Sequence, residues 1–104
     1  MRVSCALDYR RLIPALVNDD RVLDPLVASV RRQFGDDAVS EGEPVMGAED
    51  FAAFAAVVPS AHLRIGSGAP GRDDRLHNAD YQPDERCIGL GVQALSRAAL
   101  DMLA

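Results

Sequence analysis

Two apolar stripes of helical period, one in the first third of the chain and one at its end, restrict this sequence more than any other feature does. In the first, Val22, Leu23, Leu26, Val27, Val30 and Phe34 recur at spacings of three and four, and Gly35 follows at once as a stop. Pro25 falls inside the pattern, so the helix is expected from about Asp24 to Phe34, with Asp24 as cap and Pro25 in the first helical position, or with one extra turn ahead. In the second, Pro83, Asp84 and Glu85 open a helix whose stripe runs through Ile88, Val92, Leu95, Ala99 and Met102. Gly89 and Gly91 interrupt its first turns at about 1 kcal/mol each relative to Ala, which a close backbone contact would offset. A shorter helix is predicted from Ala48 to Val58. Phe51, Phe54, Ala55 and Val58 form its face, Glu49 and Asp50 suit the dipole of its opening turn, and Pro59 ends it.

Elsewhere apolar residues alternate, which is the period of a half-buried strand. Val3, Cys5 and Leu7 oppose Ser4, Ala6 and Asp8 between Arg2 and Tyr9, and Leu63 and Ile65 oppose His62 and Arg64 between Ala61 and Gly66. The order strand, helix, helix, strand, helix predicts an α/β fold, a mixed sheet with flanking helices. Loops are expected over Arg10 to Asp20, over the acidic run Asp36 to Pro44, and over Gly66 to Asp74. The last has proline where a helix should begin and no Lys-Ser/Thr signature, so it is no phosphate-binding loop.

The chain has 104 residues, 48% hydrophobic and 26% charged, which suits one domain with a modest core or one piece of a larger domain. Net charge is −5, and eleven arginines without a lysine are scattered along the chain, so a nucleic-acid partner is not expected. No apolar run is long enough to span a bilayer, and Met1-Arg2-Val3-Ser4 resembles no secretory leader; a cytoplasmic protein without a membrane partner is expected. Cys5 and Cys87 lie at opposite ends with no C-x-x-C pattern, which favours two buried, reduced thiols over a disulfide. With His62 and His77 they contain no closely spaced ligand pair of the kind a Cys2His2 zinc site uses.

His77 stands among turn-formers in Arg75-Leu76-His77-Asn78-Ala79-Asp80-Tyr81, between an expected strand and the closing helix, where reacting groups of α/β proteins are often carried. An imidazole there can be a base, a pH switch, a metal ligand or a solvent-exposed loop residue, and the residues alone leave these open.

Three phrases, in order, resemble the C-terminal end of the M20 family of metal-dependent peptidases and amidohydrolases, most closely its aminoacylase, hippurate-hydrolase and auxin-conjugate-hydrolase branch. They are Pro14-Ala15-Leu16-Val17-Asn18-Asp19, Met46-Gly47-Ala48-Glu49-Asp50-Phe51, and Leu76-His77-Asn78 with Tyr81. The resemblance covers nearly the whole chain. It implies a fragment of a two-domain metallohydrolase. Residues 1–42 would be the last strand and helix of the lid, or dimerisation, domain, and residues 43–104 the C-terminal part of the catalytic domain. The two parts are then expected to pack separately.

The resemblance also implies that His77 is a ligand of a metal pair, and that Glu49 and Asp50 orient that site or simply cap a helix. Asn78 adjoins the ligand, and Asn18 either caps a helix or lies near the substrate end of the lid. The family's other ligands come from a Cys-x-His motif, a Glu-Glu pair that includes the general base, and a further histidine. None of these is present here, so no catalytic residue is assigned in this chain. The complete parent would bind divalent zinc, manganese, nickel or cobalt, cleave the amide bond of N-acyl amino acids or similar conjugates, and be able to form a homodimer through its lid. The alternative is a non-catalytic interaction module that completes another subunit.

Overall fold

The first helix begins at a capping aspartate, one turn ahead of Asp24. In the computed structural model, which describes residues 2–72 and 75–104, α1 spans Asp20–Phe34. Asp19 sits in extended backbone, its carboxylate accepts the Arg21 N–H at 3.0 Å, and its carbonyl accepts from Val22 and Leu23 at 2.9 and 2.8 Å. Those bonds satisfy the donors that a helix start leaves open, so the extra turn forms and Pro25 lies inside the helix rather than at its first position. At the other end Gly35, with φ at +94°, donates its N–H to the Arg31 carbonyl at 2.8 Å and stops the helix as expected. A 3-10 turn, Asp36–Ala38, follows.

Helix α2 spans only Ala52–Ala55, within a run of turns, where the pattern predicted Ala48 to Val58. The shortening has two local causes. The Glu49 carboxylate accepts the Phe51 N–H at 3.0 Å and holds the opening in a turn, and Pro59 bars the residue before it from helical backbone. Helix α3, Arg86–Leu103, starts where Pro83 and Asp84 placed it, with the Asp84 carboxylate accepting the Arg86 N–H at 3.0 Å.

The expectation of an α/β fold with a mixed sheet is overturned: among the described residues there is no strand. Arg2 to Tyr9 has strand periodicity but no ladder partner, and Val3 and Leu7 are 85% and 86% exposed. A strand is stabilised by the backbone of its neighbour, and here none lies alongside. The same exposure corrects the buried thiols: Cys5 is exposed and Cys87 half-buried, both free.

Ala61 to Gly66 is likewise no strand, yet it is held. The Asn18 carboxamide accepts the His62 N–H at 2.8 Å and donates to the His62 carbonyl at 3.3 Å, and the Asp19 N–H donates to the Ser60 carbonyl at 2.9 Å. Asn18 thus supplies the two bonds that a neighbouring strand would have made.

The core lies between α1 and α3, so the expectation that residues on either side of Gly42 pack separately is not met. Leu26 and Val30 of α1 meet Ala94 and Ala98 of α3, with Val39, Ala61 and Leu63 packed at the margin. Ser29, fully buried in this crossing, donates its hydroxyl to Asp101 at 2.7 Å. Small side chains let the two backbones approach, and the Asp101 carboxylate also accepts from Arg32 at 2.7 Å and Arg97 at 2.8 Å.

The covered face of α3 is therefore the one carrying Gly91, Ala94, Ala98 and Asp101. The predicted stripe lies elsewhere and stays open, with Val92 and Leu95 at 62% and 58% exposure. The contact expected at the glycines exists at Gly91, where a Cβ would stand 2.8 Å from Ile65 Cδ1, and not at Gly89, which has nothing within 4 Å.

The chain exposes 9168 Å², about 1.6 times the roughly 5,700 Å² typical of a folded monomer of its mass. Its radius of gyration is 18.1 Å against roughly 13 Å for a compact domain of this length. No helix among the described residues is long and apolar enough to cross a membrane.

Three outcomes follow from this packing. Leu26→Ala, which empties the centre of the α1–α3 contact, should lower unfolding free energy by about 3 kcal/mol in urea titrations followed by circular dichroism. Asn18→Ala should speed hydrogen exchange at the His62 amide while leaving helix content unchanged.

The third outcome concerns acid. Hydrogen bonding to Arg86 pulls the Asp84 pKa down to about 2, and hydrogen bonds from Ser29 and Arg32 lower that of Asp101. Carboxylates with lowered pKa bind protons more readily in the unfolded chain, so their contribution is complete above about pH 4 and lost below it. Helicity should accordingly fall as the pH drops from about 4 towards 2, and Asp101→Asn should blunt that dependence.

Candidate functional site

His77 lies on the run that joins Gly66 to α3, and the two ends of this run are tied at one residue. The Ser67 carbonyl accepts the Asp84 N–H at 2.8 Å, and the Ser67 and Tyr81 hydroxyls are 2.6 Å apart. Arg72 donates to the Gln82 side chain at 2.8 Å. A turn closes from Ala69 to Arg72, with Gly71 at φ +79°. Asp73 and Asp74, the end of the loop expected from Gly66, lie outside the described residues.

Beyond them the Asn78 N–H donates to the Arg75 carbonyl and the Tyr81 N–H to the Asn78 carbonyl, both at 3.2 Å, so two turns follow each other. Within the first of them His77 adopts φ +68°, a left-handed conformation in which histidine is better tolerated than most side chains. Both His77 and Asn78 are exposed. The loop is fixed at its base, and its tip holds the imidazole out to solvent, where one more binding partner can reach it.

The metal question turns on donor number. Zinc takes three or four protein donors, and among the described residues no group of three or more His, Cys, Asp or Glu side chains is placed to hold an ion. His77 contributes one imidazole, so the described residues do not by themselves fit a metal centre.

The other sequence-predicted residues fall in two places. Asn18 and Glu49 are linked through His62. Asn18 bonds both backbone groups of His62, whose ring lies 5.5 Å from that of Phe51, and the Phe51 N–H is held by Glu49. Phe51 also stacks at a tilt on Phe54, with centroids 5.7 Å apart. Asn18 does not cap α1, since Asp19 does. Asp50 is exposed, and its carbonyl accepts the Ala53 N–H at 3.0 Å.

Sequence reasoning missed three residues that shape these places. His62 was read as a strand-surface residue, yet it joins the Asn-Asp phrase to the Glu-Asp-Phe phrase. Ser67 and the Tyr81 hydroxyl close the histidine loop, and the signal available for them was a serine between two glycines and a tyrosine shortly after the Leu-His-Asn phrase. A groove also opens beside α1, walled by Leu23, Val27, Phe34, Val39, Leu63 and Ile65. Asn18 alone of the predicted site residues lines it.

Comparison with known proteins places this arrangement. Over 96 residues the chain is 38% identical to "Probable hydrolase sll0100" of Synechocystis, a match covering 89% of this chain and 24% of that protein. It is 30% identical over 95 residues to "Putative amidohydrolase YhaA" of Bacillus subtilis, covering 88% of this chain and 24% of that one. It is also 33% identical over 94 residues to "Putative glutamate--cysteine ligase 2-3" of Rhodococcus jostii, covering 89% of this chain and 12% of that protein. The chain thus spans about a quarter, or less, of the length of these relatives. No solved structure matches it. The family model described as Peptidase family M20/M25/M40 matches residues 3–101, and the chain belongs to that family.

Proposed function

We propose that this chain is the C-terminal segment of a metal-dependent amidohydrolase that cleaves the amide bond of N-acyl amino acids or similar conjugates, and that it is inactive alone. The observation that carries the reading is a family match running from residue 3 to 101, within which the Leu76-His77-Asn78 phrase sits on a loop tied at Ser67 with its imidazole exposed. The relatives named hydrolase and amidohydrolase support the reaction class.

In this reading His77 supplies one ligand to a divalent ion, and Asn78 and the turn at Asp80 set the loop. Glu49, which holds the Phe51 N–H, acts through the Phe51–His62 contact beside the Asn18 segment. The ion, when bound, would polarise a carbonyl and activate water. The remaining ligands and the base belong to the portion of the protein that this chain does not span.

The isolated chain should show no turnover of N-acyl amino acids with added Zn²⁺, Mn²⁺, Co²⁺ or Ni²⁺, assayed by release of the free amine. Turnover that persists through purification and disappears in His77→Ala would overturn the reading. In the longer protein, His77→Ala should abolish turnover and lower metal content measured by elemental analysis, while its metal-free stability changes by no more than about 0.5 kcal/mol.

A further inference from the structure

We infer that Tyr81 is the positioning residue for His77, and that it acts through the bond between its hydroxyl and that of Ser67, which latches the histidine loop in one conformation. On the reading of His77 proposed above, this latch sets the direction from which the imidazole meets its site.

The path from the latch to the imidazole is short. The Asn78 N–H donates to the Arg75 carbonyl and closes the turn that contains His77, and the Tyr81 N–H donates to the Asn78 carbonyl and closes the next one, both at 3.2 Å. A displacement of Tyr81 is therefore carried to His77 through two backbone bonds. The Tyr81 side chain leaves this pair of turns for Ser67, and the two hydroxyl oxygens lie 2.6 Å apart, within the ordinary O–H···O range. The Asp84 N–H meets the carbonyl of the same serine at 2.8 Å.

Burial separates this tie from its neighbour. Between residues 75 and 84, Tyr81 and Asp84 alone are half-buried, and Ser67, which both of them meet, is half-buried too. A bond shielded from water holds more firmly than one that water can replace, so the hydroxyl pair outweighs the exposed Arg72–Gln82 bond across the same gap. His77 supplies the need for a latch. Its φ of +68° is uncommon for residues other than glycine, and such backbone persists where its surroundings hold it. Leu76, His77 and Asn78 are themselves exposed, and the hold reaches them through the turn bonds anchored at Tyr81.

The test compares Tyr81→Phe and Ser67→Ala, each of which removes one hydroxyl and keeps the backbone bond from Asp84 to Ser67, with Ser67→Thr, which keeps the hydroxyl. In this chain the nitrogen-15 order parameter of the His77 N–H should fall from about 0.85 to below about 0.6 in both hydroxyl deletions. Ser67→Thr and Gln82→Ala should leave it unchanged, and the urea midpoint should stay constant throughout. The double variant should be no looser than either single one, because one shared bond is lost. In the longer protein, both deletions should lower kcat by about tenfold with KM within about twofold, since misplacing a reacting group by about 1 Å can cost about 100-fold in rate. Ser67→Thr should keep most of the turnover.

An unchanged His77 order parameter in both deletions, or an equal fall in Gln82→Ala, would overturn the latch. A lowered urea midpoint with loss of order across α1 and α3 in Tyr81→Phe would overturn it in favour of a purely structural tyrosine. A loosened loop with unchanged kcat, in a longer protein that does need His77, would overturn the positioning role. If His77→Ala left turnover intact while the deletions still loosened the loop, the latch would stand and the role proposed for His77 would fall instead.

Discussion

The Asp101 carboxylate at the crossing of α1 and α3 is the interaction on which the arrangement of the chain depends. It receives the hydroxyl of buried Ser29 and the guanidinium groups of Arg32 and Arg97. A carboxylate brought against an apolar contact loses hydration, and three donors, two of them charged, offset that loss. Together with Ala94 and Ala98, whose short side chains let the backbones meet, it joins elements some 70 positions apart in sequence. Everything between the two helices is then a long excursion whose ends are fixed, and the segments inside it need only local ties to take their places.

Those ties are made at single residues rather than by secondary structure. Asn18 stands in for a neighbouring strand by bonding both the N–H and the carbonyl of His62, and Ser67 closes the loop that carries His77 by meeting both Asp84 and Tyr81. The bonds to His62 and from Asp84 satisfy backbone groups that would otherwise need water. The consequence for function is a histidine presented on a fixed base with its imidazole free.

The same structure leaves much apolar surface open, and this bears on how a family segment can be a folded object at all. A helix pair with a few buried residues gains little from burial, and the extended first residues and the outer face of α3 gain nothing. In a protein of several hundred residues such faces are ordinary interior surface. Of the two apolar sides of α3, one meets α1 and the other faces solvent.

The sequence by itself determined the family, the stop of α1 and the start of α3, but not the bounds of α2. Gly35 as a stop, Pro83 and Asp84 as a start, and the run of Leu76-His77-Asn78 are readable because caps and short motifs act through the nearest few residues. The apolar stripe of α3 was legible too, but not which face would be covered: periodicity finds hydrophobic residues, whereas close helix packing selects the small ones, Ala94 and Ala98, beside Ser29. The two strands were misread for a related reason. Alternation records a side-chain pattern, while a strand exists only if another backbone lies alongside to complete its hydrogen bonds, and none does among the described residues. Asn18 moved from cap to tie because its partner lies 44 residues away. Local chemistry was therefore written in the chain, and everything that required a second segment to arrive was decided by the tertiary structure.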